Sequence, residues 1–193
     1  MQKKIQALMA CLIMIGWISN AQALLLQDDF EDGELGDRMY EVGLEAPTIV
    51  QSFTDPAGQV YNPASGEYFA VLPIGAALIW TDLEWSKGDR LTFKYLLTEA
   101  AQGALLLFPN WPYEGNFADG MSGQTGTWHS FSYEFTGSEN GALAIQNLLG
   151  GSYGHLLLDA VSYTKVTEPN MHILGLIGLI ALLWQKRSSS QLS

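Results

Sequence analysis

The chain is 193 residues long, 11% aromatic and only 15% charged, with a formal net charge of −11. That length allows one domain or at most two, and an aromatic-rich, charge-poor composition excludes a disordered chain. The excess of negative charge repels phosphate backbones, so nucleic acid is excluded as the expected partner.

Residues 1–23 read MQKKIQALMACLIMIGWISNAQA. Lys3 and Lys4 form a charged start, and Ile5 to Ile18 is apolar apart from Gln6. Ala21 and Ala23 supply small residues at positions −3 and −1 of a signal-peptidase site, so the segment is expected to be a signal peptide cleaved after Ala23. A membrane anchor or buried helix is the alternative, but the stretch is short for a span that needs ~20 apolar residues. Cys11 is the one cysteine and lies inside this leader. The mature chain would then have none, which excludes thiolate zinc sites and cysteine nucleophiles.

Residues 24–167 carry five basic side chains (Arg38, Lys87, Arg90, Lys94, Lys165) against nineteen acidic ones, a net charge of −14. Solubility accounts for such acidity, with a cation-rich setting or metal ligation as the alternatives. Turn signals recur along the segment: Asp32-Gly33, Asp55-Pro56, Asn62-Pro63, Ser65-Gly66, Lys87-Gly88-Asp89, Gly123 to Gly126, Gly137, Asn140-Gly141 and Gly150-Gly151. Between them lie short runs of two-residue period. Leu91, Phe93, Tyr95 and Leu97 share one face, and so do Phe131, Tyr133 and Phe135, which predicts half-buried strands. Ala104 to Phe108 and Leu156 to Leu158 are continuous apolar runs and predict more deeply buried strands. Many short strands with glycine-rich turns predict an all-β fold, an antiparallel β-sandwich or jelly roll.

The order of pieces resembles the galactose-binding-like jelly rolls found in many carbohydrate-binding modules. The residues that carry the resemblance are Asp29-Phe30-Glu31-Asp32-Gly33, Gly88-Asp89-Arg90-Leu91-Thr92-Phe93, Gly126-Thr127-Trp128-His129-Ser130-Phe131 and Leu157-Leu158-Asp159-Ala160-Val161-Ser162. A legume-lectin-like sandwich is the nearest competitor. In the jelly rolls, first and last strands lie close, and a carboxylate from each often holds a structural Ca²⁺ with backbone carbonyls. The resemblance therefore implies Glu31 and Asp159 as ligands, and a hard cation that takes oxygen ligands suits them. Asp159 alternates with Leu157 and Val161, so a buried carboxylate there needs a partner.

The segment Phe108-Pro-Asn-Trp-Pro-Tyr-Glu-Gly-Asn-Phe117 sets Trp111 and Tyr113 among prolines. Rigid aromatics of this kind stack on sugar rings, and Asn110 and Glu114 are placed to hydrogen-bond hydroxyls. A loop that tucks its aromatics onto the sandwich is the alternative. Trp80 and Trp85, which flank Asp82 and Glu84, read better as core. Catalysis finds no support: His129 and His155 have no motif around them, and Ser122 sits in Gly-Met-Ser-Gly-Gln, which does not complete a nucleophile elbow.

The chain closes on Glu168-Pro169, the apolar run Met171–Trp184, then Lys186-Arg187. Fourteen helical residues rise ~21 Å, short of a ~30 Å hydrocarbon core. This layout resembles the PEP-CTERM sorting segment of Gram-negative bacteria, although Thr167 stands where the motif usually has its first proline. The resemblance implies a domain at 24–167, a sorting segment at 168–193 with a transmembrane helix at 171–184, and processing by an exosortase, a membrane peptidase, at Glu168-Pro169. Lys186 and Arg187 would act as a cytoplasmic stop. A plain C-terminal anchor is the alternative. The sequence thus predicts an exported protein, transiently in the inner membrane and then at the cell surface, that binds extracellular polysaccharide or matrix without catalysis. A purely structural surface protein is the second expectation, and a secreted hydrolase a distant third.

Overall fold

The computed structural model describes residues 22–99, 101–109, 111–112, 115–148 and 154–166, the side chains of 22–25 excepted. Its strands are β1 Gln22–Asp28, β2 Met39–Glu41, β3 Thr48–Val50, β4 Phe53–Thr54, β5 Val60–Tyr61, β6 Phe69–Leu72, β7 Ala77–Trp85, β8 Arg90–Leu97, β9 Gly103–Phe108, β10 Asn116–Met121, β11 His129–Glu134, β12 Glu139–Asn147 and β13 Leu156–Val166. The described residues contain no helix. The helices expected at 1–23 and 171–184 lie outside them. Leu24–Lys165 forms one compact unit.

Two antiparallel sheets make the predicted sandwich. One runs β11-β8-β13-β6-β3, and β1 also pairs with β13. Because β8 occupies one edge of β13, β1 and β6 share the other. The first and last strands therefore do meet. The second sheet runs β10-β9-β12-β7-β2. Alternation decides which side chains fill the space between the sheets. Leu91, Phe93, Tyr95 and Leu97 point inward from β8, with Phe131 from β11 and Leu156 and Leu158 from β13. Leu143 and Ile145 from β12, Leu105 from β9 and Leu78 from β7 face them.

The hairpin β4–β5 covers the outer face of the first sheet, where Phe53 and Tyr61 pack with Phe69, Val71, Leu96 and Leu157. Trp128 seals that small second core: its ring meets Phe69 edge-on at 5.8 Å and its indole N–H donates to the Asn62 carbonyl at 2.9 Å. On the outer face of the second sheet Ala77, Ile79, Ala142 and Ala144 lie beneath Leu106, Phe108 and Trp111.

Two expectations fail for local reasons. The expected Asn140-Gly141 turn is instead the start of β12. Gly141 is needed because a Cβ there would stand 2.0 Å from the Phe108 carbonyl oxygen on β9. The alternation of β13 also breaks. A bulge between Asp159 and Ser162, with Ala160 at φ 51°, keeps Asp159 on the outer face with Leu157 but turns Val161 into the main core.

Candidate functional site

Glu31 and Asp159, the residues expected to hold a cation, converge on one loop. Beyond β1 the chain turns at Phe30, fully buried at φ 61°, and the Phe30 amide donates to Asp28 Oδ1 at 3.4 Å. The Glu31 carboxylate then accepts the Glu67 amide at 2.9 and 3.1 Å and the Tyr68 amide at 3.2 Å. Gly66 makes this approach possible, since a Cβ there would lie 2.0 Å from Glu31 Oε1. Asp159 reaches the same loop from β13, where its Oδ2 accepts the Ser65 amide at 2.9 Å.

Asp159 is fully buried and no hydrogen bond reaches its Oδ1. Burial pushes its carboxyl above the usual carboxylate range; the amides of Ser65, Ala160 and Ala64 pull it back, and the charge of Glu31 pushes the same way as burial. Lys94 stands across β13 from Asp159, but its ammonium bonds Ser130 Oγ at 2.7 Å. Two carboxylates meet at one loop, Glu31 from beyond β1 and Asp159 from β13, and the second has a buried oxygen that no N–H reaches; a hard cation takes oxygen donors of this kind. No cluster of three His, Cys, Asp or Glu is present among the described residues. Loop carbonyls would therefore supply most of the about 6–8 oxygens such an ion takes.

The other buried acids are differently placed. Asp28 accepts Arg38 through both oxygens, at 2.9 and 2.7 Å, and the Trp80 indole N–H at 3.2 Å. Arg38 also bonds Asp32 at 2.8 Å and lies over the Phe30 ring. Asp28 first, then Asp32, raise the Arg38 guanidinium pKa further, while Arg38 holds the Asp32 carboxyl below its ordinary value.

The predicted sugar-binding loop is described in part. Asn110, Tyr113 and Glu114 lie outside the described residues. Trp111 is half-buried, edge-on to Phe108 at 5.2 Å. With Pro109, Asp82, Leu83, Glu84, Asn140 and Gly141 it lines an open cleft of about 420 Å³. Glu84 and Asn140 are cross-strand partners on β7 and β12. Asp82 sits in a β7 bulge at φ 57°, which re-aims its side chain, and Thr81 Oγ1 donates to it at 3.0 Å. Glu84 and Asn140 were not singled out as sugar contacts, and no local signal could have done so: the pairing that joins them to Trp111 spans three strands. Trp80 and Trp85 pack in or against the main core, as expected.

Ala21, Glu168, Pro169, Lys186 and Arg187 lie outside the described residues. Ala23 belongs to β1, which starts at Gln22 and so runs across the expected cleavage point.

No family model matches the chain, and no curated protein matches it in sequence. Solved structures do match. The K3 cleaved adhesin domain of Lys-gingipain from Porphyromonas gingivalis W83 is 16% identical, with a TM-score of 0.58 over 75% of this chain and 99% of that one. The CBM22-1 xylan-binding domain of Paenibacillus barcinonensis Xyn10C is 13% identical, with a TM-score of 0.54 over 78% and 99%. A further xylan-binding domain, from carbohydrate-binding module 22, is 8% identical, with a TM-score of 0.50 over 76% and 97%. At these identities the likeness establishes the fold, the jelly-roll β-sandwich of adhesin and carbohydrate-binding domains.

Proposed function

We propose that this chain is an exported, non-catalytic binding module that holds an extracellular polysaccharide in the Trp111 cleft. The observation that carries the reading is the cleft itself. Trp111, two acidic residues and an asparagine line it, the residue types that stack on a sugar ring and bond its hydroxyls. Solved domains of the same fold bind xylan or belong to adhesins, which supports it. The His129 ring is held within its own turn, where Nε2 donates to the Gln124 carbonyl at 2.9 Å.

A structural Ca²⁺ on Glu31 and Asp159 belongs to this proposal. When bound, it would supply positive charge between two carboxylates that otherwise repel. Glu31 and Asp159 would then tie the ends of the domain to the loop at 62–68. Signal peptidase would release the leader at Ala21-Gln22-Ala23. An exosortase-type peptidase would act at Glu168-Pro169 while Lys186 and Arg187 hold the tail, bringing the protein to the cell surface. Replacing Glu168-Pro169 by Ala-Ala should leave full-length protein in the inner membrane; normal maturation of that variant would reduce the segment to a plain anchor.

Affinity gels cast with soluble xylan or galactan test the binding. The parent should be retarded and Trp111→Ala should migrate freely, with a comparable melting temperature. The burial of Trp111 against Phe108 favours one other reading, a structural surface protein without a small ligand. In that case no gel retards the parent, and Trp111→Ala lowers the melting temperature alone.

A further inference from the structure

Phe117 is an aromatic side chain on an edge strand that the fold leaves 64% exposed. It starts the bulge of β10 between Phe117 and Asp119. Its ring extends over Gly120, where a Cβ would lie 3.4 Å from the ring tip. The ring tip thus lies beside Gly120 while most of the ring stays open to solvent.

Beside it opens the larger of the two described clefts, about 460 Å³, lined with Gln102, Gly103, Met121, Ser122, Thr125 and Phe117 itself. No Asp, Glu, Lys or Arg is among its described lining residues, although residues 24–167 carry nineteen acids. This is an aromatic platform with neutral hydrogen-bonding groups, whereas the Trp111 cleft is acidic.

The two clefts lie at opposite ends of β9. Pro109 and Trp111 follow Phe108, and Gln102 precedes Gly103. On β10 Phe117 pairs with Leu106 and its ring reaches to Gly120, the partner of Ala104, four residues or about 14 Å from Phe108 at ~3.4 Å per residue. A single sugar ring cannot reach both, but several linked rings lying along β9 can.

We infer that the Phe117 cleft is a second, uncharged sugar-contact site, and that the ligand is an extended stretch of polysaccharide chain rather than a lone terminal sugar. The inference rests on the polysaccharide reading of the Trp111 cleft. Calorimetry of the full-length protein with xylan and galactan oligosaccharides, from disaccharide to hexasaccharide, tests it. Affinity should climb with chain length. Phe117→Ala should weaken hexasaccharide binding about tenfold and leave disaccharide binding as in the parent. Phe117→Tyr, which keeps the ring, should restore it. Because Phe117 is exposed, both variants should melt like the parent. If Phe117→Ala binds every length as the parent does while Trp111→Ala binds none, the second site is refuted and the first stands. If the parent binds no oligosaccharide of either series, both readings fall together.

Discussion

Asp28 and Asp159 are both buried aspartates at the seam where the first and last strands meet, yet the fold treats them in opposite ways. Asp28 has an internal cation, with the Arg38 fork on both its oxygens and the Trp80 indole besides. Asp159 has amides on one side and an oxygen with no donor on the other, with Glu31 bringing a second negative charge to the same loop. Two further buried acids lie between these extremes. Asp55 accepts the Gln59 amide and the Tyr61 hydroxyl, and Asp89 accepts the Ser86 amide and the Tyr163 hydroxyl. A charge taken out of water needs compensation, and three of the four find it within the protein. Asp159 is the one of the four with a buried oxygen that no donor reaches, and the proposed cation is placed there for that reason.

The largest effect should come from breaking the self-sufficient pair. Arg38→Met leaves Asp28 buried without its cation, and the loss of one partner of a buried pair costs about 3–5 kcal/mol. The melting temperature should fall by roughly 10 °C. Adding Asp28→Asn to that variant should recover part of the loss. A change of less than about 1 kcal/mol would mean that water reaches Asp28 and that the contrast with Asp159 is one of degree.

Asp159 should respond with the opposite sign. In chelator, Asp159→Asn should be neutral or stabilising, because an amide is easier to bury than a carboxylate. With calcium in hundredfold excess over its dissociation constant, the parent should gain about 2.7 kcal/mol and the variant nothing. Thermal melts with and without calcium decide it. A parent that melts identically in both would remove the metal and leave Asp159 as a buried charge held by amides alone.

The sequence made half of this contrast visible. Glu31 and Asp159 could be named because each sits in a short pattern near an end of the domain. Arg38 could not: it stands alone among acids, and only the fold shows that it reaches back ten residues to Asp28. The inward faces of β8 and β11 were legible because alternation there is unbroken. The bulges at Asp82 and Ala160 were not, since neither carries the glycine that marks a left-handed residue in sequence. Those two bulges set the orientation of Asp82 in the cleft and of Asp159 beside the loop. Trp111 was legible as an aromatic between prolines, but its polar partners arrive from β7 and β12 through pairings that no local pattern records.

Asp89 tests the intermediate case. The Tyr163 hydroxyl lies 2.7 Å from both Asp89 Oδ2 and the Glu84 carbonyl oxygen, and burial first, then Asp89, raise its pKa. Tyr163→Phe keeps the ring against Phe135 and removes only the hydroxyl. The expected cost is about 1.5 kcal/mol, as for a hydrogen bond to a charged group. A loss as large as that of Arg38→Met would mean that neutral donors matter as much as a paired cation.

The smallest effect concerns a base in the same predicament as Asp159. His155 precedes β13 and packs its ring against Phe53 at 4.7 Å, and its buried Nδ1 has no hydrogen-bond partner. Burial lowers its pKa from the ordinary 6.5, and Glu45, Glu99 and Asp55 oppose that only in part. The folded protein therefore holds His155 neutral where the unfolded chain would begin to take up a proton. A depressed folded pKa gives stability that is complete above the unfolded value and is lost as pH falls through the folded value. The parent should accordingly lose stability as pH drops below about 6.5. His155→Phe, which keeps a ring beside Phe53 and cannot titrate, should flatten the slope in that window. His129, the other described histidine, is unchanged in both proteins and cancels from the difference. Urea titrations of the pair at several pH values between about 7.5 and 5 would show it. Parallel slopes would mean that the three carboxylates compensate the proton fully. His155 would then resemble Asp28, a buried group that the fold itself satisfies, rather than Asp159.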